Sequence, residues 1–284
     1  MGLAGHRIGL IGHSHTVALL DALGPWRNNA GVRATAPDAR YGEAFQGWFE
    51  SDLGGRAFVH SSTAGADFSA PLKALTCLVT GGMNFVLAPG GEPSALLLRF
   101  VEQLRGCDVV VSALYGNELA GRMLINDLPP YDFAGAVFPS GFSWPDGQVQ
   151  PIDRLHVREV ISTAAGNTVT TLRLLLRLLP GVHLLHLLPP PPLERPEDVP
   201  GRELLIDALN RHGFVPPALR LKWHFAYAEE LEKMLAGENV VLVRPPQQAR
   251  SPGGFLGEGL REGLTHGNGR YGAMVWDRLD RAVG

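Results

Sequence analysis

The sequence predicts an α/β protein, a three-layer α/β/α sandwich with a central parallel sheet. Three observations carry that expectation. Apolar runs of strand length alternate with longer stretches of helical period along most of the chain. The runs are apolar at nearly every position, which is the pattern of strands covered on both faces rather than one. Gly and Pro punctuate the passages between them, as at Gly24-Pro25, Gly106 and Pro180-Gly181.

Residues 7–12 (RIGLIG) read as a short buried strand and 14–23 (SHTVALLDAL) as a helix stopped by Gly24-Pro25. GVRATA at 31–36 is the second strand candidate. The stretch 50–91 contains AFVHSS and LTCLVTGGMNFVLAP, both β-like and glycine-punctuated, and reads as a possible inserted hairpin beside the main sheet. From there a helix at 92–105 leads through Gly106 into a strand at 108–115, followed by a Pro- and Gly-rich excursion within 119–151. A long helical region at 152–179 precedes the apolar strand VHLLHLL at 182–188. Helices at 201–212 and 217–236, the strand NVVLVRP at 239–245 and a last helix at 268–283 complete the order. No internal repeat or linker marks a second domain, so residues 1–284 are expected to form one.

Composition bounds the function. Hydrophobic residues are 45% and charged residues 19% of 284, the balance of a soluble globular chain able to bury a sizeable core. A net charge of −3 offers no electrostatic reason to expect nucleic acid or an anionic membrane as partner. Cys77 and Cys107 match no disulfide framework and no metal spacing, and each sits in an apolar run as a buried reduced thiol would. The first residues lack a secretory pattern, and the greasiest stretch, 170–188, is broken by Arg173, Arg177 and Pro180. A cytoplasmic protein without a membrane span is the expectation.

In a parallel sheet, chemistry gathers at the carboxyl ends of the strands. Three exits carry suggestive residues: Gly12-His13-Ser14, Gly116-Asn117-Glu118 and, before the last helix, Leu264-Thr265-His266-Gly267-Asn268. Each has a plain alternative. Serine is favoured as an N-cap, Asn117 suits a strand-to-helix turn, and His266 suits a surface loop. The serine-hydrolase elbow Gly-x-Ser-x-Gly fails because Thr16 stands where its last glycine belongs. Dinucleotide and P-loop fingerprints are absent. His13 and His15 flank Ser14 without a carboxylate- or cysteine-rich partner segment, so neither a metal nor another cofactor is expected.

Taken together and in this order, the three exits resemble the SGNH, or GDSL-like, hydrolase family of bacterial type, from residue 7 to 283. VHLLHLLPPPPLE and ALRLKWHFAYAEEL are also similar to bacterial members. The resemblance implies a flavodoxin-like SGNH hydrolase fold and a serine esterase acting on a small-molecule or carbohydrate-linked acyl ester. It implies Ser14 as nucleophile and His266 as base. The Ser14 and Gly42 backbone N–H groups and the Asn117 side-chain amide would form the oxyanion hole. Gly65 and Gly82 are the alternatives to Gly42, which fits best as the glycine after the presumed second strand. The sequence departs from the family at two places. His13 replaces the usual aspartate before the serine, and Gly263 stands where an aspartate normally orients the histidine. Glu262 is the adjacent candidate acid. These departures keep open a weakened or inactive binding protein of the same fold, and the same serine would also serve an acyltransferase. Phe133, Phe138, Phe142 and Trp144 either line an acyl pocket or pack their loop onto the body.

Overall fold

The computed structural model describes residues 3, 6–12, 15–22, 32–34, 49–51, 57–58, 74–79, 87, 90–114, 116, 118–119, 123–133, 149–196 and 206–284. The structure is the expected sandwich. Strand β1 (Arg7–Gly12) leads into helix α1 (His15–Ala22). Strands β2 (Val32–Ala34) and β3 (Phe49–Ser51) form a small antiparallel pair of their own. Strands β4 (Ala57–Phe58) and β5 (Ala74–Val79) precede helix α2 (Ala95–Leu104) and strand β6 (Val109–Ala113). The short pair β7 (Tyr131–Asp132) and β8 (Gln150–Pro151) leads to α3 (Arg154–Leu178), β9 (His183–Leu187), α4 (Ile206–His212), α5 (Pro217–Met234) and β10 (Val240–Val243). A second short hairpin, β11 (Arg261–Glu262) and β12 (His266–Gly267), ends at α6 (Gly269–Val283).

The central sheet runs in the order β10-β9-β6-β1-β5-β4. Five strands, β5, β1, β6, β9 and β10, pair in parallel, and β4 adds antiparallel to the outer side of β5. Counted along the chain, the parallel strands stand in the order 2-1-3-4-5, the flavodoxin-like doubly wound arrangement.

Alternation along the strands separates the two covering layers. Ile8, Leu10, Val109, Val111 and Leu185 face a core shared with α1 and α6, while Ile11, Val110 and Leu184 face one shared with α2, α3 and α5. Every described position of β6 is buried, which explains why it is apolar at all but Ser112. Helix starts follow local chemistry: Ser94 accepts from Leu97 N–H, Asp153 from Leu155 N–H, and Asn268 from Arg270 and Tyr271 N–H.

The described part of the 31–36 candidate is strand β2, which pairs away from the main sheet with β3, while β5 and β6 flank β1. The 50–91 stretch therefore supplies a parallel strand of the sheet itself, with only β4 joining it as a hairpin would.

Helices α1 and α6 lie unusually close. A Cβ at Gly272 would run into the Ala18 carbonyl, so only glycine permits that approach. Trp276, fully buried, donates its indole N–H to the Leu19 carbonyl at 2.9 Å. This packing carries the start of α6, and the residues just before it, to the start of α1. No helix among the described residues is long and apolar enough to cross a membrane.

Candidate functional site

A doubly wound sheet opens its ligand crevice outside the strand carboxyl ends, where the order of strands reverses. Here that place lies between β1 and β6, because β5 adds on one side of β1 and β6, β9 and β10 on the other. Gly12 allows the convergence: a Cβ there would strike Thr16 Oγ1 in the first turn of α1 and press on the Ala113 carbonyl of β6.

Three described residues meet at this point. His15 is the first residue of α1, Gly116 follows β6, and His266 opens β12. The rings of His15 and His266 stand with centroids 4.7 Å apart, tilted by 40°. Gly116 lies against His15, since a Cβ on it would come within 3.5 Å of Nε2, and its φ of +95° is the left-handed region that glycine tolerates.

His266 is positioned by its own hairpin and by the helix after it. It pairs with Glu262 across β11 and β12, and Gly263 at φ +66° makes the turn between them. Asn268 anchors the far side, its Nδ2 donating to the Gly259 carbonyl and its backbone N–H to that of Leu260, each at 2.8 Å. Thr265 Oγ1 stands 3.2 Å from His266 Nδ1. Burial lowers the His266 pKa below the ordinary histidine value, so the ring is neutral and basic at neutral pH.

Glu262 is exposed and stands opposite His266 in the hairpin register, while Thr265 Oγ1 is the near neighbour of the half-buried ring's Nδ1. At position 263 the family-like site is open: a Cβ on Gly263 would stand 3.9 Å from His266 Nδ1.

Glu118 is the residue that sequence reasoning quoted without giving it a task. Its Oε2 accepts the Gly116 N–H at 2.6 Å, and its Oε1 accepts the Thr168 hydroxyl at 2.6 Å and the Tyr227 hydroxyl at 3.3 Å. One carboxylate thus ties the turn after β6 to α3 and α5. Burial raises its pKa above the ordinary carboxylate value, against the pull of those donors. A glutamine offers one acceptor oxygen where the carboxylate uses two. Glu118→Gln is therefore expected to cost about 1–3 kcal/mol in stability, as leaving a donor without its acceptor should. The raised pKa also fixes a sign. The stability linked to Glu118 is complete below its unfolded value of about 4.3 and is lost as pH rises through the folded value. The melting temperature of the wild type relative to the glutamine variant should accordingly fall as pH rises above about 4.

Ser14, His13, Asn117, Gly42, Gly65, Gly82, Phe138, Phe142 and Trp144 lie outside the described residues. The ground for preferring Gly42 was its place after the second strand. The glycines next after β5 are the pair Gly81-Gly82. Phe133 is a packing residue: it is buried with its ring 4.9 Å from that of Trp223, and Trp223 Nε1 donates to the Tyr131 hydroxyl. The hollow beside the two histidines is lined instead by the exits of β9 and β10 and by α1 and α6, through Ala18, Leu187, Pro189, Val243, Tyr271 and Val275. Cys107 takes no part. Its burial pushes the thiol up to about 11, far from a reactive thiolate.

The fold and this junction define a doubly wound α/β protein with a histidine pair at its switch point. No protein-family model matches the chain, and no curated protein matches it. Among solved structures, it is similar to a protein named as a platelet activating factor from Streptococcus pneumonia, at TM-score 0.45 and 11% identity over 99% of this chain and 85% of that one. It is similar to the periplasmic domain of a Salmonella ser. Paratyphi A lipopolysaccharide acetyltransferase at TM-score 0.45 and 11% identity, over 99% and 84%. A protein named as an acylhydrolase from Bacteroides fragilis follows at TM-score 0.45 and 9% identity, over 98% and 86%. Likenesses of this degree carry no argument about function.

Proposed function

We propose that the chain is a serine esterase acting on a small acyl ester, with Ser14 as nucleophile and His266 as general base. The observation that carries this reading is the meeting of His266 with His15 at the switch point. Ser14 is covalently next to His15, and the His15 ring meets that of His266, a neutral, half-buried histidine from the other end of the chain.

In the proposed reaction, Ser14 Oγ attacks the ester carbonyl while His266 Nε2 takes its proton. His266 then returns that proton to the leaving alcohol, and water repeats the sequence to release the acid. With Nδ1–H donating to the Thr265 hydroxyl, the basic lone pair falls on Nε2, and the threonine does part of the orienting that a carboxylate does in a full triad. The negative charge on the carbonyl oxygen would be met by the N-terminus of α1, the Asn117 amide and a backbone N–H in the loop after β5, where Gly82 lies. Glu118 supports this by holding Gly116, the residue before Asn117.

A fluorophosphonate probe tests the reading. Labelling is expected on the peptide containing Ser14. Its rate should rise with pH through a single ionisation below the ordinary histidine value of about 6.5, because burial favours the neutral ring. A folded protein that is not labelled is a binding protein of this fold. A limb above that value would mean that a carboxylate supports the base after all.

A further inference from the structure

Between β10, the loop after it and the last turns of α6 lies an open cleft lined by Arg244, Arg250, Arg278 and Arg281, with Gln247, Gln248 and Ser251 between them. Among the described residues no carboxylate belongs to its lining, although the chain as a whole carries a net charge of −3. Four guanidinium groups have therefore been gathered where the average surface would mix signs.

Their existing contacts leave most of this charge uncompensated. Arg244 is the one with a carboxylate partner, Glu232, at 2.6 Å. Arg281 donates only to the backbone carbonyl of Asp277, at 3.0 Å. Arg250 stacks on the Phe225 ring at 5.2 Å, and its Nε is buried with no hydrogen-bond partner among the described residues. Burial and the neighbouring Arg244 both lower the Arg250 pKa, the direction that crowding of like charges produces. Such an arrangement is unfavourable while empty and is relieved by an anion. Stacking on Phe225 fixes the Arg250 plane in advance, which suits the two-pronged recognition that guanidinium groups give to oxyanions.

We propose that this cleft is a binding site for a ligand carrying clustered phosphate groups. Four arginines around a cleft of about 750 Å³ offer more donors than a single phosphate uses, and a diphosphate or a longer anion can bridge them. The cleft adjoins the hollow beside His15, sharing Arg244 and Pro245 with it, but takes neither Ser14 nor His266 into its lining.

Titration calorimetry with pyrophosphate at low salt tests the soluble source, and co-sedimentation with phosphatidic acid vesicles tests the headgroup source. The expected result is binding in at least one arm, weakened by added salt and reduced at least tenfold in the Arg278→Gln/Arg281→Gln variant. Both residues are exposed helix positions, so the variant is expected to melt with the wild type. Ser14→Ala should bind as the wild type does. No binding in either arm, or binding that the double variant retains in full, overturns the proposal.

Discussion

Replacing Ser14 by alanine is expected to reduce turnover of a short p-nitrophenyl ester by about four orders of magnitude or more, the usual cost of removing a catalytic serine. The residual rate would come from binding and the oxyanion donors alone. The same substitution tests the plain alternative, in which the serine before α1 is an N-cap and nothing else. Loss of a cap costs about 1 kcal/mol, which lowers the melting temperature of a chain of this size by a few degrees. A variant that melts a few degrees lower and still turns over ester at the wild-type rate would make Ser14 a cap. A variant that folds and is inert makes it the nucleophile. Repeating the wild-type assay with an added alcohol separates esterase from transferase by the ratio of transfer to hydrolysis.

The second large effect runs in the opposite direction. Gly263→Asp is expected to raise kcat/KM, by about tenfold to a thousandfold, because an orienting carboxylate in a serine–histidine–aspartate arrangement is worth up to roughly 10⁴ in rate. The geometry allows it: a Cβ on residue 263 stands 3.9 Å from His266 Nδ1, and aspartate is among the few residues that accept a backbone near φ +66°. The strain costs on the order of 1 kcal/mol in stability. A carboxylate beside the ring must also raise the histidine pKa, moving the acid limb of the pH profile upward. Gly263→Asn, similar in shape but uncharged, should leave the limb where it is. If the aspartate variant gains neither rate nor a higher limb, Thr265 already orients His266 as well as the site permits.

Much of this molecule is legible without coordinates, for a physical reason. Strands covered on both faces are apolar at most positions, so β1, β6 and β9 announce themselves as near-continuous runs. The helices between them carry their starts in Ser94, Asp153 and Asn268, whose side chains cap them locally. The order of the three exits is likewise a property of the chain. Where sequence reasoning failed was in pairing. Segments 31–36 and 74–79 both read as strands, and nothing local says which lies beside β1. Parallel pairing joins residues that are far apart in the chain, as Arg7 pairs with Ala74. The choice of Gly42 inherited that ambiguity.

The same limit explains the site. Sequence by itself determined the fold class, the succession of most elements and the candidacy of His266, because these follow from periodicity, capping and residue type within a few positions. Only the tertiary structure decided that His266 meets His15, that Thr265 Oγ1 stands beside its Nδ1, and that Glu118 holds Gly116 while bonding Thr168 and Tyr227. Those contacts depend on how closely α6 packs on α1 and how the turn after β6 meets α3 and α5. Such distances are set by shape complementarity between surfaces remote in sequence, and no local pattern encodes them.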